Sequence, residues 1–137
     1  MVDAVYPPLP VDLDDTKQHA LSTVAALFDR CQSEGFVTSS LGFRADATRR
    51  SIEDIGGLIT LAQSGVITEP VTFRAYDNAY HSLSLAQLQT LQVEVTARGP
   101  QVYAKKWALE AAIAAAETVE AVQAMDVTAG WPGLEAV

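Results

Sequence analysis

Residues Ser84–Met125 read SLAQLQTLQVEVTARGPQVYAKKWALEAAIAAAETVEAVQAM, an alanine- and leucine-rich run that is helical almost throughout by composition. It opens on Ser84-Leu85-Ala86-Gln87, a capping-box pattern in which the Ser84 oxygen accepts the N–H three residues on. Leu85, Leu88, Leu91 and Val95, then Trp107, Ala111, Ala114 and Ala115, recur at spacings of three, four and seven and mark its apolar positions. Unbroken, such a helix would span roughly 60 Å. Arg98-Gly99-Pro100 is its one serious interruption. Proline removes a helical hydrogen bond and crowds the preceding turn, which predicts a kink or break and two segments, about 85–97 and 100–125. Small residues on two faces of the second segment permit close helix–helix approach, in a bundle or an oligomer seam. No clean heptad persists, which argues against a long parallel coiled coil.

Working back from Ser84, Val71–Tyr76 alternates as a strand, Asp77-Asn78 turns, and Ala79–Leu83 returns as its partner. Gly65–Pro70 connects this hairpin to a helix that ends near Ser64, with Asp46 as its expected cap and Ile52, Ile55, Leu58, Ile59 and Ala62 on one face. Gly56-Gly57 inside it predicts close approach of another helix. Phe36–Ala45 forms an earlier hairpin, with Gly42 in its turn. An amphipathic helix capped by Asp12 or Asp14 runs to about Glu34 and stops at Gly35. The fold class expected is α+β, mainly α. Amphipathic helices cover two short hairpins joined in one small antiparallel sheet, and a long, Pro-interrupted helix closes the chain.

Two terminal stretches are apolar for solvated tails. Tyr6-Pro7-Pro8-Leu9-Pro10 favours an extended, polyproline-like arm, either free or laid on a neighbour, and Val5, Tyr6 and Leu9 are its contact candidates. Trp131-Pro132 follows Gly130 and either docks back on the fold or meets a partner, which makes Trp131 the fourth partner-binding candidate.

Charge and residue usage exclude several functions. With 17 acidic against 9 basic residues the net charge is −8, and Arg49-Arg50 and Lys105-Lys106 are too sparse to follow a phosphate backbone, so no nucleic-acid partner is expected. No apolar run approaches the length of a membrane span, and Met1-Val2-Asp3-Ala4 does not begin a signal peptide, so cytoplasmic synthesis is expected. Cys31 is the single cysteine and reads as a small buried apolar residue. His19 lacks companions at ligand spacing, and His81 beside Ser82 lacks an acidic partner and a nucleophile elbow. Glu110, Glu117 and Glu120 lack the Glu-x-x-His pattern of di-iron bundles, and Asp12, Asp14 and Asp15 are accounted for by capping. No catalytic residue, cofactor or metal site is therefore expected.

From Gly35 to Pro132 the chain resembles an uncharacterised family, domain of unknown function 4376, common in tail proteins of bacteriophages and prophages. The residues that carry the resemblance are Gly35-Phe36, Leu41-Gly42-Phe43-Arg44-Ala45-Asp46 and Tyr76-Asp77-Asn78-Ala79-Tyr80. Leu83–Leu88, Ala111–Ala116 and Asp126–Pro132 complete the set. The resemblance implies a phage-tail-type domain over 35–137, preceded by an arm-plus-helix segment, 1–34, for attachment or oligomerisation. It implies a non-enzymatic structural protein that links or anchors a tail fibre at the baseplate, or else a fibre assembly chaperone absent from the mature virion. Tail fibre or baseplate proteins would be its partners, a homotrimer its favoured state, and the virion tail its location after assembly in the bacterial cytoplasm.

Overall fold

The computed structural model describes residues 12–135, and the arm candidates Val5, Tyr6 and Leu9 lie outside them. Four helices and four short strands follow in the order α1 (Leu13–Ser33), β1 (Phe36–Thr38), β2 (Arg44–Asp46), α2 (Arg49–Gln63), β3 (Val71–Arg74), β4 (Tyr80–Leu83), α3 (Leu85–Ala115) and α4 (Val119–Gln123). Each helix starts where a short polar side chain satisfies a free N–H. Asp12 accepts from Asp14 N and Ser84 from Gln87 N, and the Gln87 side chain returns the bond to Ser84 N. Thr118 caps α4 by accepting from Ala121 N.

α3 carries two cores, one on each half. Leu88, Leu91 and Val95 pack with Ile55 and Ile59 of α2 and with Val71 and Leu83 of the second hairpin. Val102 and Ile113 pack instead with Val24 and Cys31 of α1, Val122 of α4 and Trp131 of the C-terminal segment. α1 runs antiparallel to α3, since Lys17 Nζ donates to the Ala114 carbonyl, Phe28 meets Tyr103, and the Cys31 carbonyl meets Arg98. α1 is therefore part of the second core.

The hairpins are two two-stranded antiparallel ladders, not one sheet. Phe36 pairs with Asp46 in the first and Val71 with Leu83 in the second. Tyr76 N donates to the Arg44 carbonyl across the gap, and Phe43 stacks on His81 with ring centroids 4.2 Å apart. One backbone hydrogen bond together with side-chain packing does the joining that a shared ladder would otherwise do.

Three local expectations are corrected. Asp46 ends β2, and Thr48 caps α2 by accepting from Ser51 N. A Cβ on Gly56 would sit 3.6 Å from the Gln92 side chain and one on Gly57 would meet nothing, so no helix crowds this pair. The third correction concerns Pro100, through which α3 continues as one helix of 31 residues, ending at Ala115. Gly99 has no Cβ for the proline ring to strike, which removes part of the steric bar on a helical residue before proline. Thr96, whose carbonyl loses its partner, is exposed, so water can take the bond. Val95, Arg98 and Val102 are buried on both sides of the proline and hold the helix in place.

Candidate partner-binding surface

Leu88, Leu91, Val95, Arg98 and Val102 lie at alternating steps of three and four along α3, on one buried stripe. Arg98, only 3% exposed, stands where the two cores meet. Its Nη1 donates to the carbonyls of Cys31 (2.8 Å) and Ala47 (3.1 Å), Nη2 to Glu34 (3.4 Å) and Nε to Pro132 (2.9 Å). Cys31 belongs to the last turn of α1, whose carbonyls lack helical partners and carry the negative end of the helix dipole. A buried cation is thus matched by backbone carbonyls. Burial pushes the guanidinium below its usual pKa, and it remains a cation in this ring of acceptors.

Two glycines make room for that head group. A Cβ on Gly35, at φ +120°, would lie 2.7 Å from Arg98 Cζ, and one on Gly133, at φ +73°, would lie 2.5 Å from Nε. Phe36 N donates to the Gly133 carbonyl at 3.0 Å, so the C-terminal segment is tied to the first hairpin as well. Trp131 beside it is 5% exposed, packs in the second core and donates Nε1–H to the Val127 carbonyl at 2.8 Å. Of the sequence candidates, Trp131 is thus placed inside the chain. The other three, Val5, Tyr6 and Leu9, precede the described residues.

Glu94 holds the first hairpin to α3, accepting from Ser39 Oγ (2.6 Å) and Ser40 N (2.9 Å). Partial burial opposes its charge, but these hydrogen bonds outweigh that and keep its carboxyl below the ordinary value. Asp46 shows the reverse balance: burial raises its pKa and the Arg74 charge only partly offsets it. Burial likewise raises Cys31, against weaker lowering by the Arg98 and Arg30 charges, so the thiol is kept protonated. A cavity of about 260 Å³ beside Arg98, with Cys31, Ile52 and Val102 in its walls, is smaller than the roughly 300–1,000 Å³ typical of small-molecule sites. Among the described residues, no three or more His, Cys, Asp or Glu side chains are grouped to hold a metal.

The outward face of α3 is the reverse of what the sequence suggested. Trp107 is 60% exposed and Tyr103 41%, and Ala111, Ala114 and Ala115 are exposed too. Tyr103 stands edge-on to Phe28 of α1 at 5.0 Å and reaches Trp107 one turn on at 5.3 Å, while Lys106 Nζ lies 4.8 Å over the Phe28 ring. The result is an aromatic ladder leading onto a flat alanine surface, on a chain that is otherwise strongly acidic. The signal for this face was the Leu88–Val102 stripe. Continued along the helix it passes through Leu109 to Ile113, and Trp107 lies about 140° around the helix from Val102. Contiguous apolar surface of this kind marks contact sites.

The family described as Domain of unknown function (DUF4376) matches residues 15–129, taking in most of α1, which lies outside the motifs quoted above. No curated protein and no solved structure matches the chain.

Proposed function

We propose that this chain, which belongs to the DUF4376 family, is a non-enzymatic structural protein of a bacteriophage tail that links or anchors a tail fibre at the baseplate through protein–protein contacts. The observation that carries the contact role is the apolar face of α3, where Tyr103, Trp107 and the exposed alanines lie uncovered among the described residues. The resemblance to phage and prophage tail proteins supplies the setting. The polar corner around Arg98 supports the non-catalytic part of the reading, because its donors are spent on the chain's own carbonyls. In this reading the Pro-rich arm, with Val5, Tyr6 and Leu9, contributes to the contacts, and Trp131 serves by fixing the C-terminal segment in place. A homotrimer suits a position at the distal tail.

The test is quantitative mass spectrometry of purified, intact particles from the phage or induced prophage that encodes the chain. A fixed copy number per particle is the expected result. Absence from particles together with co-purification with an unassembled fibre would make the chain an assembly chaperone. Absence from both would remove the tail role.

A further inference from the structure

Val93, Pro100, Trp107 and Ala114 follow one another at steps of seven along α3, and all four are exposed. Ala97, Ala104 and Ala111 fall four residues after the first three and are exposed too. Alternating steps of four and three keep these positions on one side of the helix. The charged residues of α3 avoid that side. Arg98 is buried, Glu94 is held by Ser39 and Ser40, and Lys106 lies over Phe28 and pairs with Glu110 at 3.7 Å. Lys105 turns toward Gly130, on which a Cβ would lie 3.3 Å from its Nζ.

We propose that the partner of this face is a second copy of the chain, whose α3 packs antiparallel on the first about a twofold axis near Ala104. Charge favours this occupant. With 17 acidic against 9 basic residues, two copies repel one another wherever acidic surfaces come within a Debye length, about 8–10 Å. The α3 stripe carries no charge, so two copies can meet there without desolvating any.

Size sets the direction. In a parallel pair each Trp107 would meet the partner's Trp107 and hold the alanine rows apart. In the antiparallel pair Trp107 falls between the partner's Pro100 and the partner's Ala104, and Val93 falls beside the partner's Ala114. Large side chains then meet small ones. An alanine at every seventh position lets the axes approach to about 8 Å, the near end of the usual range.

The extent is sufficient. From Val93 to Ala114 the stripe is roughly 31 Å long, and a helix is roughly 10 Å wide. Side chains included, two such strips bury on the order of 1,200 Å² in total, where specific interfaces begin. The inference rests on reading the α3 face as the contact surface of the proposed function. It gives two as the number of copies sharing that face, where a distal-tail position alone suggested three.

Analytical ultracentrifugation of the full chain, from about 1 to about 100 µM, tests this in the range that an interface of this size supports. The parent should show a monomer–dimer equilibrium. Ala104→Glu sets two carboxylates against one another at the axis and should raise the dissociation constant at least tenfold. Ser22→Glu adds the same charge on the outer side of α1 and should leave it unchanged. Both sites are exposed, so both variants should keep the parent's urea midpoint. Cysteine linkage reads the direction, because Cys31 is buried and a disulfide forms only between close Cβ atoms. Ala104→Cys should link to itself. Ala114→Cys should not, yet it should link to Val93→Cys when the two variants are mixed. Monomer throughout, a trimer mass, a dimer indifferent to Ala104→Glu, or Ala114→Cys linked to itself each overturns the proposal. A monomer present at fixed copy number in particles would remove the pair and leave the tail role standing.

Discussion

Arg98 fills the space that Gly35 leaves by having no Cβ: a methyl group there would stand 2.7 Å from the guanidinium carbon. Gly133 makes the same allowance on the other side, with its would-be Cβ 2.5 Å from Nε. The pair is a steric mould for one buried side chain, and both glycines also have positive φ.

Gly35→Ala and Gly133→Ala should each destabilise the fold by about 2–4 kcal/mol, through backbone strain together with overpacking. Gly57→Ala is the contrast. It lies inside α2 with nothing within 4 Å, and should gain about 0.5–1 kcal/mol from helix propensity. Urea denaturation of the three variants measures both signs.

Arg98→Met keeps the bulk of the side chain and abandons the carbonyls of Cys31, Ala47 and Pro132, each of which then lacks its donor. A loss of about 3 kcal/mol or more is expected. Arg98→Lys should rescue little, since a single ammonium cannot reproduce the planar fork that reaches acceptors on three sides. Thermal melts of the two variants should therefore fall close together and well below the parent.

Glu94 and Asp46 give opposite pH signatures. The folded pKa of Glu94 is depressed, so its bonds to Ser39 and Ser40 stabilise the fold above its unfolded pKa, and the contribution is lost as pH falls through the folded value. Glu94→Gln should lower stability at pH 7 and narrow its gap from the parent in acid. Asp46, raised by burial, favours the fold below its unfolded pKa and gives that up as pH rises through its folded value. Asp46→Asn should therefore raise stability at neutral pH and make no difference well below pH 4. Denaturation midpoints taken across pH 3–7 separate the two.

The Cys31 thiol is 2% exposed, with its pKa raised by burial. A disulfide reagent such as DTNB should leave the native protein unlabelled over the time in which urea-unfolded chain reacts completely. Labelling in native buffer should proceed at the rate of opening, measured independently by hydrogen exchange of α1.

Local chemistry was readable in the residues. The Ser84 box, the Asp12 cap, the stop at Gly35 and the Asp77-Asn78 turn each depend on neighbours in sequence, and each lies where expected, with Asn78 at φ 70°. What was not readable depends on distant partners. Pro100 looked like a break because propensity counts the lost hydrogen bond, whereas buried residues on both flanks override it. Trp107 looked like core because tryptophan is apolar. Only the stripe through Arg98 and Val102 shows that the buried side faces elsewhere, and a charged residue on that stripe hides the pattern. Arg98 itself announces nothing in sequence, since its acceptors are main-chain atoms that any residue type supplies.

The ring of carbonyls around Arg98 also has a kinetic meaning. Its bonds reach 67, 51, 64 and 34 residues along the chain, so one side chain closes four long loops at once. Loops of that length are entropically dear to close before other contacts hold their ends together. The guanidinium is therefore expected to be set in place late, after α1, the first hairpin and the C-terminal segment have each found α3. An interaction formed after the folding barrier acts as a latch: it leaves the speed of folding nearly untouched and governs how long the finished molecule lasts.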